Sequence, residues 1–160
     1  MKPSFFFFLV FISLASYGQG IKTYHKAYYK NGILKEEGWL LKNTKNNYWK
    51  FYFSDGTLSS KGHFKNNNPN KYWYFYSPNG SLKEEGHFNN GQRENWWVFY
   101  KKKETLEAKK QFKKNKIDGF CLFYKNNKIF KIEKYVQNTK IKEWTDLKEF
   151  EKEHNLSDLL

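Results

Sequence analysis

Cysteine occurs once in this 160-residue chain, at Cys121, so no intramolecular disulfide can staple the fold. Arginine also occurs once, at Arg93, although the formal net charge is +13. Nucleic-acid sites exploit arginine for bidentate and stacking contacts. A positive charge carried almost wholly by lysine therefore argues against a nucleic-acid partner and for solvated surface lysines. There is no phosphate-binding glycine loop, nucleophile elbow or zinc-ligand spacing. These absences point away from an enzyme, and no cofactor or metal is expected.

Long apolar runs are also missing, with one exception. Phe5 to Leu14 is apolar apart from Ser13, follows Lys2, and precedes the small-residue site Ser16-Tyr17-Gly18. It is shorter than the ~20 residues a spanning helix needs, and its layout is that of a secretory signal peptide. Residues 1–18 are expected to be removed near Gly18. The mature chain would then be exported, periplasmic or extracellular.

What the remainder has in abundance is aromatic residues, 21% of the chain, and they are periodic. Phe51-Tyr52, Phe75-Tyr76, Phe99-Tyr100 and Phe123-Tyr124 recur every 24 residues, after Ala27-Tyr28. Asn31-Gly32, Asp55-Gly56 and Asn79-Gly80 keep the same beat, as do Gly38, Gly62 and Gly86. Trp49, Trp73 and Trp97 follow it too, with Cys121 in the fourth copy. A strict period of this length marks a repeat array. Residues 19–144 form the array, with repeats starting near 28, 52, 76, 100 and 124.

Each unit reads as two strands and two turns, which predicts an all-β, antiparallel meander of hairpins in one elongated, twisted or curled sheet of about eleven strands. The Asn-Gly turns admit a two-residue or a three-residue loop. Pro78 favours the three-residue loop, where it takes the first turn position. Carried along the strands, that loop pairs Lys50 with Ser60, Tyr74 with Glu84, Val98 with Ala108 and Leu122 with Ile132. The shorter loop would set Lys50 against Lys61, a like-charge pair. The three-residue register puts Tyr48, Tyr52, Leu58 and Phe64 in the core, with Gly62 beneath Tyr48. It leaves Trp49, Trp73, Trp97 and Phe75 on a second, partly exposed face with His63 and His87. From Thr145, an expected N-cap, residues 145–160 read as a short helical cap with Leu147, Phe150 and His154 on one face.

Trp73, Tyr76, Asn79-Gly80, Leu82, Glu85-Gly86, Phe88 and Asn90-Gly91 together resemble a MORN-type repeat of the bacterial YwqK-like kind. The resemblance runs from Tyr24 to about Trp144. It departs at Glu104 and Lys128 in place of the turn glycine, at Lys110 and Lys134 in place of the strand glycine, and at Cys121 in place of Trp. It implies a scaffold that makes protein contacts, a proposed lipid association, and, through the antitoxin label of that group, toxin neutralisation.

The candidate binding residues are Trp49, Trp73, Trp97, Phe75, His63 and His87. A protein partner is the first expectation. The alternative is a cell-envelope glycan stacked on the Trp ladder. His63 and His87 hold equivalent repeat positions too far apart to share a metal ion. Membrane lipid is disfavoured: the dense lysines from Lys101 to Lys103, with Lys109-Lys110, Lys113-Lys114 and Lys116, alternate between faces along their strands.

Overall fold

The computed structural model describes residues 20–101 and 105–159. The leader with its cleavage site lies outside them, as do Lys102, Lys103 and Glu104. Eleven strands follow one another: β1 (Lys22–Tyr28), β2 (Leu34–Leu41), β3 (Thr44–Tyr52), β4 (Leu58–Lys65), β5 (Asn68–Tyr76), β6 (Leu82–Asn89), β7 (Gln92–Tyr100), β8 (Leu106–Lys113), β9 (Lys116–Lys125), β10 (Lys128–Val136) and β11 (Thr139–Trp144). Their order in the sheet is their order in the chain, every pair is antiparallel, and the sheet is open with β1 and β11 at its edges. This is the meander that the repeat period predicts.

Two kinds of turn alternate. At one end of the strands, two residues in left-handed conformation close each hairpin, as with Lys42-Asn43 (φ 49° and 59°) and Asn90-Gly91 (φ 46° and 80°). Both central residues at positive φ define the hairpin turn whose twist matches the strands. These turns also lock to one another. Asn67 donates its backbone N–H to the Lys45 carbonyl (3.0 Å), and its side chain accepts from the Lys45 N–H (2.6 Å). Asn115 and Arg93, then Asn138 and Ile117, repeat the same pair of bonds.

At the other end, the three-residue loop is present as expected. Ser77 accepts from the Gly80 N–H (2.8 Å) and donates its own N–H to the Ser81 carbonyl (2.9 Å), with Gly80 at φ 81°. Gly32 and Gly56 close the equivalent loops at φ 82° and 90°. Lys128 cannot take that left-handed position cheaply. There the hairpin shortens to a two-residue turn, Asn126-Asn127, with both residues at positive φ.

The register carried inward from these loops is where the sequence expectation fails. Tyr52 pairs with Leu58 as the loop dictates, but a bulge follows at once, and Phe51 pairs with Ser60. The same shift separates Ala27 from Tyr28, Phe75 from Tyr76, and Phe99 from Tyr100. A one-residue shift exchanges the partners of every later residue and turns the faces over. Lys50 therefore meets Lys61, Tyr74 meets Glu85, and Val98 meets Lys109. Of the four cross-strand pairs named above, only Leu122 with Ile132 forms.

The burial order is accordingly the reverse of that expected. Trp49, Trp73 and Trp97 are 0%, 3% and 0% exposed, whereas Tyr52, Tyr76 and Tyr100 are only half-buried. Gly38, Gly62 and Gly86 lie opposite Trp49, Trp73 and Trp97, and a Cβ on any of them would overlap the indole. A bare backbone under a flat cross-strand ring is the expected device; the ring it serves is Trp, not Tyr.

A second core closes the C-terminal end. Helix α1 (Leu147–Glu151) is capped by Asp146, one residue after the expected Thr145, through a bond from the Lys148 N–H (2.9 Å). A 3₁₀ turn, Leu156–Leu159, follows. Phe150 is fully buried among Leu122, Tyr124, Ile132 and Trp144, with Trp96, Leu106, Phe120 and Leu147 packed around them.

Candidate binding surface

The bulges sort the candidate residues onto two opposite faces. Trp49, Trp73, Trp97 and Phe75 share one face with Phe51, Phe64 and Phe88. His63 and His87 lie on the other, beside tyrosines. The expectation that all six form one surface is corrected by this.

The first face is a continuous layer of rings. Trp49, Phe51, Trp73, Phe75 and Trp97 follow one another at centroid separations of 5.8–6.1 Å, at interplanar angles of 23–30°. Phe64 and Phe88 stand edge-on against Trp73 and Trp97 at 5.0 and 4.9 Å. Such pairs add ~0.5–1.5 kcal/mol each beyond the area they bury. Phenylalanines thus bridge the spaces between the tryptophans, and the Trp ladder expected from the sequence is a filled stack.

A second irregularity satisfies the indoles. β2 and β3 pair Gly38 with Trp49 but Trp39 with Asn46, so the ladder opens between them. The Trp49 Nε1–H fills the gap by donating to the Trp39 carbonyl (3.0 Å), and Trp73 and Trp97 donate likewise to the His63 and His87 carbonyls (2.9 and 3.1 Å). The residue at the opening is left-handed in each copy: Asn47 (61°), Lys71 (63°), Asn95 (60°) and Gly119 (117°).

Cations roof the layer at two points. Lys45 Nζ lies 4.3 Å from the Trp49 centroid and bonds Glu36 (2.6 Å). The Arg93 guanidinium lies 3.9 Å from Trp97 and pairs with Glu84 (2.9 Å). The sole arginine of the chain is therefore spent on its own core. With the indoles closed in this way, their rings offer no open platform for a sugar.

The opposite, tyrosine face is built on the row Lys26, Glu37, Lys50, Lys61, Tyr74, Glu85, Val98, Lys109, Leu122, Ile132 and Trp144, which runs across all eleven strands. It grades from charged to apolar toward the C-terminus, where α1 covers it. Tyr48 packs on His63 at 5.1 Å and Tyr72 on His87 at 5.0 Å, both edge to face. Tyr72 and Tyr74 lie 5.2 Å apart. Tyr52 and Tyr100 donate to Glu37 (2.7 Å) and Glu85 (2.6 Å).

These bonds hold the Glu37 carboxyl below its ordinary value, the Tyr52 hydroxyl being the main cause. Burial first, then Glu37, pushes the Tyr52 hydroxyl up, and burial and Glu85 push Tyr72 up to about 12. Burial, with Lys71 adding to it, lowers the His63 imidazole, so it stays neutral at pH 7. Nothing here converges as an acid–base pair would. Tyr48, Tyr52 and Tyr72, all raised, stay protonated hydrogen-bond donors attached to apolar rings. Sequence reasoning missed this face because it assigned the tyrosines to the core.

No family model matches the chain, and no curated protein matches it.

Proposed function

We propose that the mature chain is an exported, non-catalytic repeat protein of MORN-like type that binds a protein partner through its tyrosine face. One observation carries this reading. Among the described residues, the face that the chain's own α1 covers at β10 and β11 carries no helix over β1 to β6, where it is lined by Tyr24, Trp39, Tyr48, Tyr72, Tyr74 and Tyr76. Tyr24, Trp39 and Tyr48 are 48%, 36% and 36% exposed, among the largest exposed aromatic groups of the described residues. Rigid aromatic side chains with a polar tip are what protein interfaces favour, since they bring area at little entropic cost. The glycan reading has no comparable support once the Trp rings are closed. Toxin neutralisation would be one instance of protein binding on this surface.

The test places a photo-cross-linking amino acid at Tyr72 and, as a control, at Asn79 in the exposed loop. The reading expects one discrete protein to cross-link from position 72 and not from 79, and the purified pair to bind. No cross-link at 72, or the same products from both positions, removes it.

A further inference from the structure

The segment that covers the tyrosine face at its C-terminal end is itself unusual in this chain. Asp146 to Leu159 carries five acidic residues and two lysines, in a protein whose formal charge is +13. Its apolar anchors are Leu147, Phe150, Leu156 and Leu159, with Phe150 fully buried. Lys142 of the sheet pairs with Glu153 of this segment (2.6 Å). The chain thus carries a worked example of what its tyrosine face accepts.

The seat under Phe150 is built partly from Phe120, Leu122 and Tyr124. By the 24-residue period, Tyr72, Tyr74 and Tyr76 occupy the same three places two repeats earlier, and Tyr48, Lys50 and Tyr52 three repeats earlier. Strand alternation puts all three triplets on one face, and the register sets their middle members, Lys50, Tyr74 and Leu122, in one cross-strand row. The upstream seats are largely aromatic, and no helix among the described residues covers them. They are also basic: Lys22 lies over Trp39 (4.5 Å), Lys61 over Tyr74 (5.0 Å), and Lys26 and Lys50 flank Glu37. The carboxylates in these rows, Glu37 and Glu85, already accept from Tyr52 and Tyr100.

We infer that the occupant of this surface is an acidic amphipathic helix of a separate partner protein, seated on Tyr48, Tyr72 and Tyr74 with Lys50 and Lys61 meeting its carboxylates. Apolar anchors every three or four residues would enter between the tyrosines, as Leu147 and Phe150 enter the downstream seat. This inference rests on the reading that the tyrosine face binds a protein, and it goes further in naming the partner's chemistry.

The probe is a fluorescein-labelled helical peptide with Leu and Phe on one face and Glu on the other, against the same peptide with Lys for Glu. Anisotropy is measured with the purified chain at ~0.15 M salt. The acidic peptide is expected to bind at least about tenfold tighter than its basic counterpart, and Lys50→Glu with Lys61→Glu should erase that preference. Tyr74→Ala should weaken binding of the acidic peptide. Equal affinity for the two peptides, or a preference that survives the lysine reversals, overturns the inference. Mapping the position-72 cross-link separates the two readings. A segment that is basic, not helical, or the Asp146–Leu159 tail of a second copy overturns the helix inference but leaves protein binding standing. No cross-link at all removes both.

Discussion

The two ends of this sheet carry their main apolar clusters on opposite faces. In the first three Trp-bearing hairpins the buried side chains are Trp49, Trp73 and Trp97, and no helix among the described residues packs over them. In the last hairpins the cluster Leu122, Ile132 and Trp144 lies on the other face, beneath α1. A single sheet layer can therefore make a core in two ways. It can lay large flat rings over bare backbone, so that the sheet is its own cover, or it can recruit another element. The first way needs glycine opposite tryptophan. Where the fourth copy has Lys110 opposite Cys121, that device is gone; Ala108, Cys121 and Glu133 stay buried on the Trp face, but the large apolar cluster lies on the face that a helix closes.

The largest test of this contrast uses adjacent residues on β5. Trp73→Ala should cost ~3–5 kcal/mol, as loss of a buried ring does. Tyr74→Ala, on the open face, should cost about 1 kcal/mol. Urea unfolding of the two variants decides it, and equal losses would mean that the faces do not differ as described.

A smaller effect probes the change of device. Cys121→Trp alone overpacks a site whose opposite residue is Lys110 and should destabilise by ~1–3 kcal/mol. Adding Lys110→Gly provides the bare backbone and should restore most of that loss. A double-mutant cycle is then non-additive by more than about 1 kcal/mol; additive behaviour would show that the Gly–Trp couple does not explain the switch.

The smallest effect is electrostatic. Glu37 is lowered below its ordinary value chiefly by the Tyr52 hydroxyl. A depressed carboxyl contributes stability above its ordinary pKa and loses it as pH falls through the lower folded value. Tyr52→Phe should therefore cost at most about 1 kcal/mol at pH 7, given nearby solvent. The gap between variant and parent should close on acidification below the usual carboxylate range. A gap that is constant with pH would assign the effect to packing.

The repeat period, the strand number, the three-residue loops and the helical tail were legible because each depends on local chemistry. The faces were not, because one bulged residue beside each loop decides them, and neither Ser59 nor Lys83 announces a bulge. The like-charge pair Lys50 with Lys61 weighed against the true register. In the structure these chains have better neighbours: Lys61 turns to Tyr74 and Tyr76, and Lys50 sits beside Glu37. One signal in the sequence does carry the answer. Trp is lost at Cys121 in the copy where glycine is lost at Lys110, and residues that change together in that way face each other.

Every ladder in the sheet joins strands that are neighbours in the chain. No strand waits for a distant segment to arrive before it can pair, so loop-closure entropy is small at each step. Any hairpin can start the sheet, and growth proceeds outward from it by one strand at a time. Each new turn then locks to the previous one through the bonds typified by Asn67 and Lys45. A chain that emerges end-first, from a ribosome or a translocation channel, delivers strands in the order in which the sheet uses them, so the emerging array assembles without storing unpaired edges for later partners.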